Sequence, residues 1–378
     1  MNVKLDCASF FNALTSQGVG YFTGVPDSLL KEFCAYVQDH AAGGRHIIAA
    51  NEGAAVALAC GHHLATRGIG LVYMQNSGLG NAVNPLTSLT SPLVYGIPLL
   101  LLVGWRGEPG VPDEPQHRQM GEITEAMLST LGVAHSILPA DDLEAAECLN
   151  AAVRHCTAEN RPYALLVKAG TFAPYESRAH VEASFSLTRE AAVCAVVDSL
   201  TEHDVVVSTT GKTSRELYEY RVSKGHDLSR DFLTVGSMGH ASQIALGIAG
   251  ARPEREVYCI DGDGSTIMHM GSMAIVGTHG PRNFRHVIIN NGAHDSVGAQ
   301  PTVGFQMDLP AVAVACGYRY AMCASTIDQI GQHMRTLTAC DGPVLLEIKA
   351  RTGSRADLGR PQSTPEQNKF AFMDFLNA

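Results

Sequence analysis

Glu256-Val-Tyr-Cys-Ile-Asp-Gly-Asp-Gly264, joined through residues 265–289 to Asn290-Asn291, decides the fold of this chain. Glu256–Asp261 has the apolar content of a buried strand, and Arg285-His-Val-Ile-Ile289 reads as a second. The intervening length suits a tight turn and one helix. In a parallel sheet both strands then end on the same edge, where ligands bind. Asp263 and Asn291 are therefore expected to meet in space. One carboxylate, one amide oxygen and nearby carbonyls make a hard oxygen set, suited to Mg²⁺ that also holds phosphate oxygens. Gly262 and Gly264 allow close approach of a phosphate. A plain turn would explain Gly-Asp-Gly alone; composition, spacing and strand context together favour the metal site.

The same alternation extends outward in both directions. Strands are predicted at 19–22, 46–49, 71–74, 99–103 and 164–167, then at 205–208, 232–235, 257–260, 287–289 and 344–348. Helices fit 6–17, 28–40, 53–67, 119–131 and 142–158, then 189–200, 212–222, 240–250, 265–277, 309–316 and 326–339. This pattern predicts an α/β protein of two doubly wound parallel-sheet domains, each sheet covered on both faces. Residues 171–187 have no period and begin a linker, giving domains at 1–180 and 187–378.

The chain has 378 residues, 46% of them apolar, and a net charge of −10. That charge argues against nucleic acid or an anionic membrane surface as the main partner. Its ten cysteines include no Cys-x-x-Cys pair, and several sit in apolar runs as buried thiols. The N-terminus lacks a signal-peptide pattern, and the apolar run 99–103 is too short to span a bilayer. A cytoplasmic protein is expected.

Several further residues carry chemistry. Ala49-Ala-Asn-Glu52-Gly-Ala-Ala-Val56 sets one carboxylate between a strand end and a small-residue helix. Ala and Gly neighbours would desolvate Glu52 and raise its pKa; a helix N-terminus would favour it as well. Asp27 follows Val25-Pro26 at a strand-to-helix turn, where an N-cap is the ordinary reading. Gly236-Ser-Met-Gly239 makes a turn in which Met238 is either core filler or an apolar wedge. Thr210-Gly-Lys-Thr-Ser214 is a phosphate-suited helix start, without the upstream glycine of a P-loop. Gln75–Asn81 is either a plain strand-to-helix turn or part of a ligand site. His117 and His294 stand out by position among sixteen histidines.

The Gly-Asp-Gly…Asn-Asn spacing resembles the thiamine diphosphate motif shared by 2-keto acid decarboxylases, acetolactate synthases and transketolases. The resemblance implies thiamine diphosphate and Mg²⁺ as cofactors, with Asp263, the Asn291 side chain and the Ala293 carbonyl holding the metal. Gly262, Gly264, Ser265 and Thr210 would serve the diphosphate. Glu52 would share a proton with the pyrimidine ring and so promote the reactive ylid. Met238 would wedge between the cofactor rings, with the Gly236 carbonyl beside N4′, and Asn76 and Ser77 would line the cofactor. The resemblance makes 1–180 the pyrimidine-binding and 187–378 the diphosphate-binding domain, with active sites at the subunit interface of a homo-oligomer.

Four segments, 23–30, 73–85, 290–302 and 353–361, look more narrowly like the phosphonopyruvate and sulfopyruvate decarboxylases, and the chain lacks the middle domain of pyruvate decarboxylase-like enzymes. The single fused chain favours phosphonopyruvate. The implied reaction converts 3-phosphonopyruvate, an anionic 2-keto acid, to phosphonoacetaldehyde and CO₂ through the ylid and an enamine. Sulfopyruvate decarboxylation to sulfoacetaldehyde is the alternative, and a noncatalytic cofactor-binding regulatory subunit is the rival from another class. Besides Glu52, the polar candidates are Asp27, His117 and His294. The substrate anion is assigned Arg106 and Arg118, on a Gly/Pro-rich loop at 104–121 expected to close over the site, with Ser296 and Gln300. Arg355 and Arg360 are weaker candidates.

Overall fold

The computed structural model describes residues 3–41, 43–177 and 185–378. It divides into two compact units, Met1–His180 and Val181–Ala378. The first unit carries strands β1 (Tyr21–Gly24), β2 (His46–Ile48), β3 (Gly70–Gln75), β4 (Leu100–Gly104), β5 (Ala134–Ile137) and β6 (Tyr163–Val167). They pair in parallel in the order β2-β1-β3-β4-β6-β5. The second carries β7 (Val205–Ser208), β8 (Asp231–Leu233), β9 (Val257–Gly262), β10 (Phe284–Asn290), β11 (Tyr320–Ala324) and β12 (Val344–Lys349). Its parallel order is β11-β12-β10-β9-β7-β8. Read from the other end, this is the same second-first-third-fourth-sixth-fifth arrangement, so the two units share one topology.

Both faces of each sheet are covered, which is why the central strands are continuous apolar runs. Leu100 and Leu102 of β4 pack with Phe10, Phe33 and Leu149 on one side. Leu101 and Val103 pack with Val56, Leu86 and Leu128 on the other. Burying each such side chain stabilises by roughly 1.5–3 kcal/mol. In the second unit Ile260 and Val287 face one cluster and Cys259 and Ile288 the other.

One edge of each sheet is an unpredicted strand. In β5, Ala134 to Ser136 are half-buried and Ile137 is exposed; in β11, Tyr320 is exposed. β5, Ala-His-Ser-Ile, carries no apolar run to read, and β11, Tyr-Ala-Met-Cys-Ala, is apolar but has no β-branched residue to mark a strand. The helix Leu79–Ser88 was also unpredicted, because Pro85 sits inside it. The helix Pro365–Asn377 was missed despite a legible signal, the Thr364–Gln367 capping box with Pro365 in its first turn. The helix predicted at 265–277 is two, Asp263–Met268 and Gly271–His279. Part of the expected linker is ordered: Phe172 is buried, and Leu5 bonds the backbone on both sides of it. Residues 178–184 of that linker lie outside the described residues. Among the described residues no helix is long and apolar enough to cross a membrane.

Candidate active site

In each sheet the first and third strands flank the point where the chain reverses its direction of winding. Ligand crevices form there, at the carboxyl ends of the strands. The sequence-predicted residues of each unit collect at these ends. They form two candidate half-sites, one in each unit.

In the second unit, Asp263 follows β9 and begins its helix, and Asn291 follows β10. The structure brings the two together: the Asn291 amide faces Asp263 Oδ1 at 3.4 Å. Thr302 donates its hydroxyl proton to Asp263 Oδ2. Burial pushes the Asp263 carboxyl up to about 6, against the pull of Thr302 and nearby amides. Among the described residues no basic side chain pairs with it. A desolvated carboxylate without a cationic partner is what a divalent ion would relieve. Asn291 Oδ1 accepts from the Ala293 amide at 3.2 Å, which curls Ala293 back toward the same place. Gly304 closes the floor of the site. A Cβ there would lie 2.6 Å from both Asp263 Oδ2 and Asn290 Oδ1.

The neighbouring turn is held by the residues expected near a diphosphate. Gly236, Ser237 and Gly239 all have positive φ, at 72°, 46° and 87°. Such a backbone persists only if fixed from outside. Thr210 Oγ1 accepts from the Gly236 amide at 3.1 Å, and Ser265 Oγ accepts from the Gly239 amide at 3.0 Å. Thr209 Oγ1 donates to Ser265 Oγ as well, joining the ends of β7 and β9. Met238 projects from this turn half-buried. Gly262 and Gly264 flank Asp263. The His294 ring packs on Gly264, and burial lowers its pKa to about 4, so it is neutral at physiological pH. Gln300 is buried and Ser296 exposed. Asp295 pins the loop, accepting from Arg189 Nη1 at 2.6 Å and from the Gly353 amide at 3.2 Å.

In the first unit, Glu52 opens the helix Glu52–Thr66 behind the N-cap Asn51. It is 5% exposed, and burial raises its pKa. Asn81 Nδ2 donates to Glu52 Oε2 at 2.7 Å, while Oε1 lies over Gly78. Asp27 is fully buried, and desolvation raises its pKa although Gln75 Nε2 donates to it at 2.6 Å. It is not an N-cap. The helix predicted from 28 begins at Lys31, and Asp27 Oδ2 instead accepts from the Leu29 amide at 2.9 Å.

The predicted loop 104–121 needs correction. Its second part is helical, since the helix Pro115–Thr130 includes His117 and Arg118. Its first part is pinned: Arg106 donates Nε and Nη2 to Asp113 at 2.8 and 2.5 Å, and Nη1 to Ser28 Oγ at 2.8 Å. Asn76 braces the same peptide through Arg106 O at 2.8 Å and the Arg106 amide at 3.2 Å. The Arg106 guanidinium and the Asn76 amide are thus engaged inside the protein. Ser77 donates to Gln75 Oε1 at 2.7 Å. Arg118 is exposed. In the second unit Arg355 is ion-paired with Glu190 and Glu219, and Arg360 is exposed. Sequence reasoning missed Asp113, Thr302 and the specific role of Asn81. Each is a short polar residue in a turn or helix start, a pattern that recurs throughout the chain.

Residues 8–128 match the family described as thiamine pyrophosphate enzyme, N-terminal TPP binding domain, and residues 209–348 its C-terminal TPP binding domain. The similarity extends to whole proteins. A phosphonopyruvate decarboxylase of Streptomyces viridochromogenes is 39% identical, over 98% of this chain and 95% of that protein. The chain belongs to the thiamine pyrophosphate enzyme family. A phosphonopyruvate decarboxylase of Streptomyces hygroscopicus is 38% identical over 98% of this chain and 94% of its own length. A sulfopyruvate decarboxylase of Methanosarcina acetivorans is 27% identical over 79% of this chain and 80% of its own. The family's two matched segments fall in different units, each containing one half-site.

Proposed function

We propose that the protein is a thiamine diphosphate- and Mg²⁺-dependent decarboxylase that converts 3-phosphonopyruvate to phosphonoacetaldehyde and CO₂. The observation carrying this reading is end-to-end similarity to phosphonopyruvate decarboxylases across 98% of the chain; the positions of Glu52, Asp263 and Asn291 just after β2, β9 and β10 support it. When bound, thiamine diphosphate supplies the electron sink for the bond that breaks as CO₂ leaves. Asp263, Asn291 Oδ1 and the Ala293 carbonyl would hold Mg²⁺, completing their oxygen set with diphosphate oxygens and water. Gly262, Gly264, Ser265 and Thr210 would receive the diphosphate, and Met238 with the Gly236 carbonyl would set the cofactor's bend.

The chain's own residues then manage protons. Glu52, made basic by burial and oriented by Asn81, is the residue that would hold a proton against the cofactor's pyrimidine ring. Asp27 and His117 supply polar contacts and protons around the substrate, His294 stays neutral, and Arg118, Ser296 and Gln300 are the candidates for its anion. The proposal includes self-association, with the half-sites of different copies serving one cofactor. The test is aldehyde formation from phosphonopyruvate, sulfopyruvate and pyruvate offered separately, with and without thiamine diphosphate and Mg²⁺. Aldehyde from phosphonopyruvate alone is expected. Preference for sulfopyruvate would replace the substrate assignment, and no cofactor-dependent aldehyde from any of them would overturn the reading.

A further inference from the structure

One carboxylate in the first unit receives five donors. Asp113 Oδ1 accepts from Arg106 Nη2, from the Glu114 amide at 2.7 Å and from His117 Nδ1 at 2.9 Å. Asp113 Oδ2 accepts from Arg106 Nε and from the Gly107 amide, each at 2.8 Å. Its side chain is 12% exposed, as is that of His117. Burial alone would raise the Asp113 pKa, but Arg106, His117 and the two amides outweigh it and hold the carboxyl well below its usual range. Asp113 is therefore an anion that only accepts hydrogen bonds. The imidazole nitrogen facing it must carry the proton. His117 is then held as the Nδ1–H form, with Nε2 as the position where a proton is gained and lost.

The same residues engage Arg106. Each of its three nitrogens donates one hydrogen bond, to Asp113 or to Ser28, the residue after Asp27. Asn76 locks the Arg106 peptide from the end of β3. A continuous set of contacts thus runs from the sheet edge through Arg106 and Asp113 to His117 in the first turn of its helix.

We propose that Asp113 is a positioning residue that fixes the tautomer of His117 and aims Nε2 as the proton-passing nitrogen of the decarboxylation. The catalytic half of this statement rests on the proposed function; the tautomer half does not. In the reaction the carbon–carbon bond to the carboxylate breaks, and CO₂ leaves. Nε2 first takes a proton from solvent, giving the imidazolium that the Asp113 carboxylate faces; that proton then becomes the hydrogen of the new C–H bond at that carbon, which returns the ring to its Nδ1–H form.

The test uses the full-length protein labelled with ¹⁵N-histidine, with His117→Gln assigning the His117 signals. The neutral wild-type ring should show the Nδ1–H tautomer, and Asp113→Asn should shift it toward Nε2–H or a mixture. With phosphonopyruvate, Asp113→Asn should lower kcat by about 10²–10⁴-fold, the scale of a misset histidine tautomer, with little change in KM. Asp113→Glu should recover part of the loss. A wild-type Nε2–H spectrum, or a spectrum unchanged in Asp113→Asn, would overturn the positioning role. The expected spectra with full turnover in Asp113→Asn would overturn the catalytic half. The expected spectra in a protein inert toward every keto acid would instead refute the proposed function and leave the tautomer assignment standing.

Discussion

Gly78→Ala should disable the Glu52 half-site without replacing a polar residue. Gly78 has φ −72° and ψ −14°, a conformation alanine adopts freely, so no backbone strain arises. The effect is steric. A Cβ at 78 would stand 2.5 Å from Glu52 Cγ and 2.6 Å from Cδ, whereas ordinary contact begins at 3.4 Å. The Glu52 side chain must move by about 1 Å, a displacement that costs on the order of 10²-fold in rate when it misplaces a catalytic group. Rotating the carboxyl alone gives no relief, because Cγ itself is in the way and Asn81 holds Oε2. Overpacking should also destabilise the fold by roughly 1–3 kcal/mol. Gly80 is the control: it lies in the first turn of the helix that Gly78 caps, and a Cβ there meets nothing within 4 Å. Gly80→Ala should leave turnover intact and stabilise the helix by up to about 1 kcal/mol. Turnover with phosphonopyruvate and thermal melting of both variants decide the matter. Wild-type turnover in Gly78→Ala would refute the claim that Glu52 position controls the reaction.

Glu52→Gln keeps the shape and the Asn81 contact but removes the exchangeable proton, so turnover should fall about 10²–10⁴-fold while cofactor binding by calorimetry persists; an active variant would remove Glu52 from the chemistry. Asp263→Ala should weaken Mg²⁺-dependent cofactor binding, and an unchanged Mg²⁺ titration would refute the metal assignment. Mixing Glu52→Gln with Asp263→Ala under subunit exchange should restore about a quarter of wild-type activity, if half-sites are paired between copies of a symmetric dimer; no recovery despite proven exchange would mean that both come from one copy. His46 donates to or accepts from Tyr73 Oη at 2.8 Å, and burial lowers its pKa from 6.5 to about 4. The unfolded chain therefore binds this proton first as pH falls. The stability contributed by neutral His46 is full above 6.5 and lost toward 4, at most about 3 kcal/mol and less for a partly exposed ring. His46→Gln should flatten denaturant-unfolding stability across that window, and an unaltered acid slope would exclude His46 as its source.

The amino-acid sequence by itself determined the class of fold and the pairing of Asp263 with Asn291. Central parallel strands are buried on both faces, so they must be apolar runs, and Val205–Ser208 was predicted to the residue. Asp263 and Asn291 could be paired from sequence because adjacent parallel strands end together, which makes a contact between distant residues a matter of strand counting. The edge strand β5 was hidden because one-sided burial does not demand an apolar pattern, and β11 because its Ala, Met and Cys carry no strong strand preference. Only the tertiary structure decided how the polar groups are satisfied. Arg106 looks like a free anion-binding cation in sequence, yet a turn returns Asp113 to it and also to His117. Asn81 reaches Glu52, and Gly78 leaves it room, because two helices pack in one particular register. Such contacts depend on side-chain distances of an ångström or less, and nothing in the order of residues records them until the sheets and helices have closed.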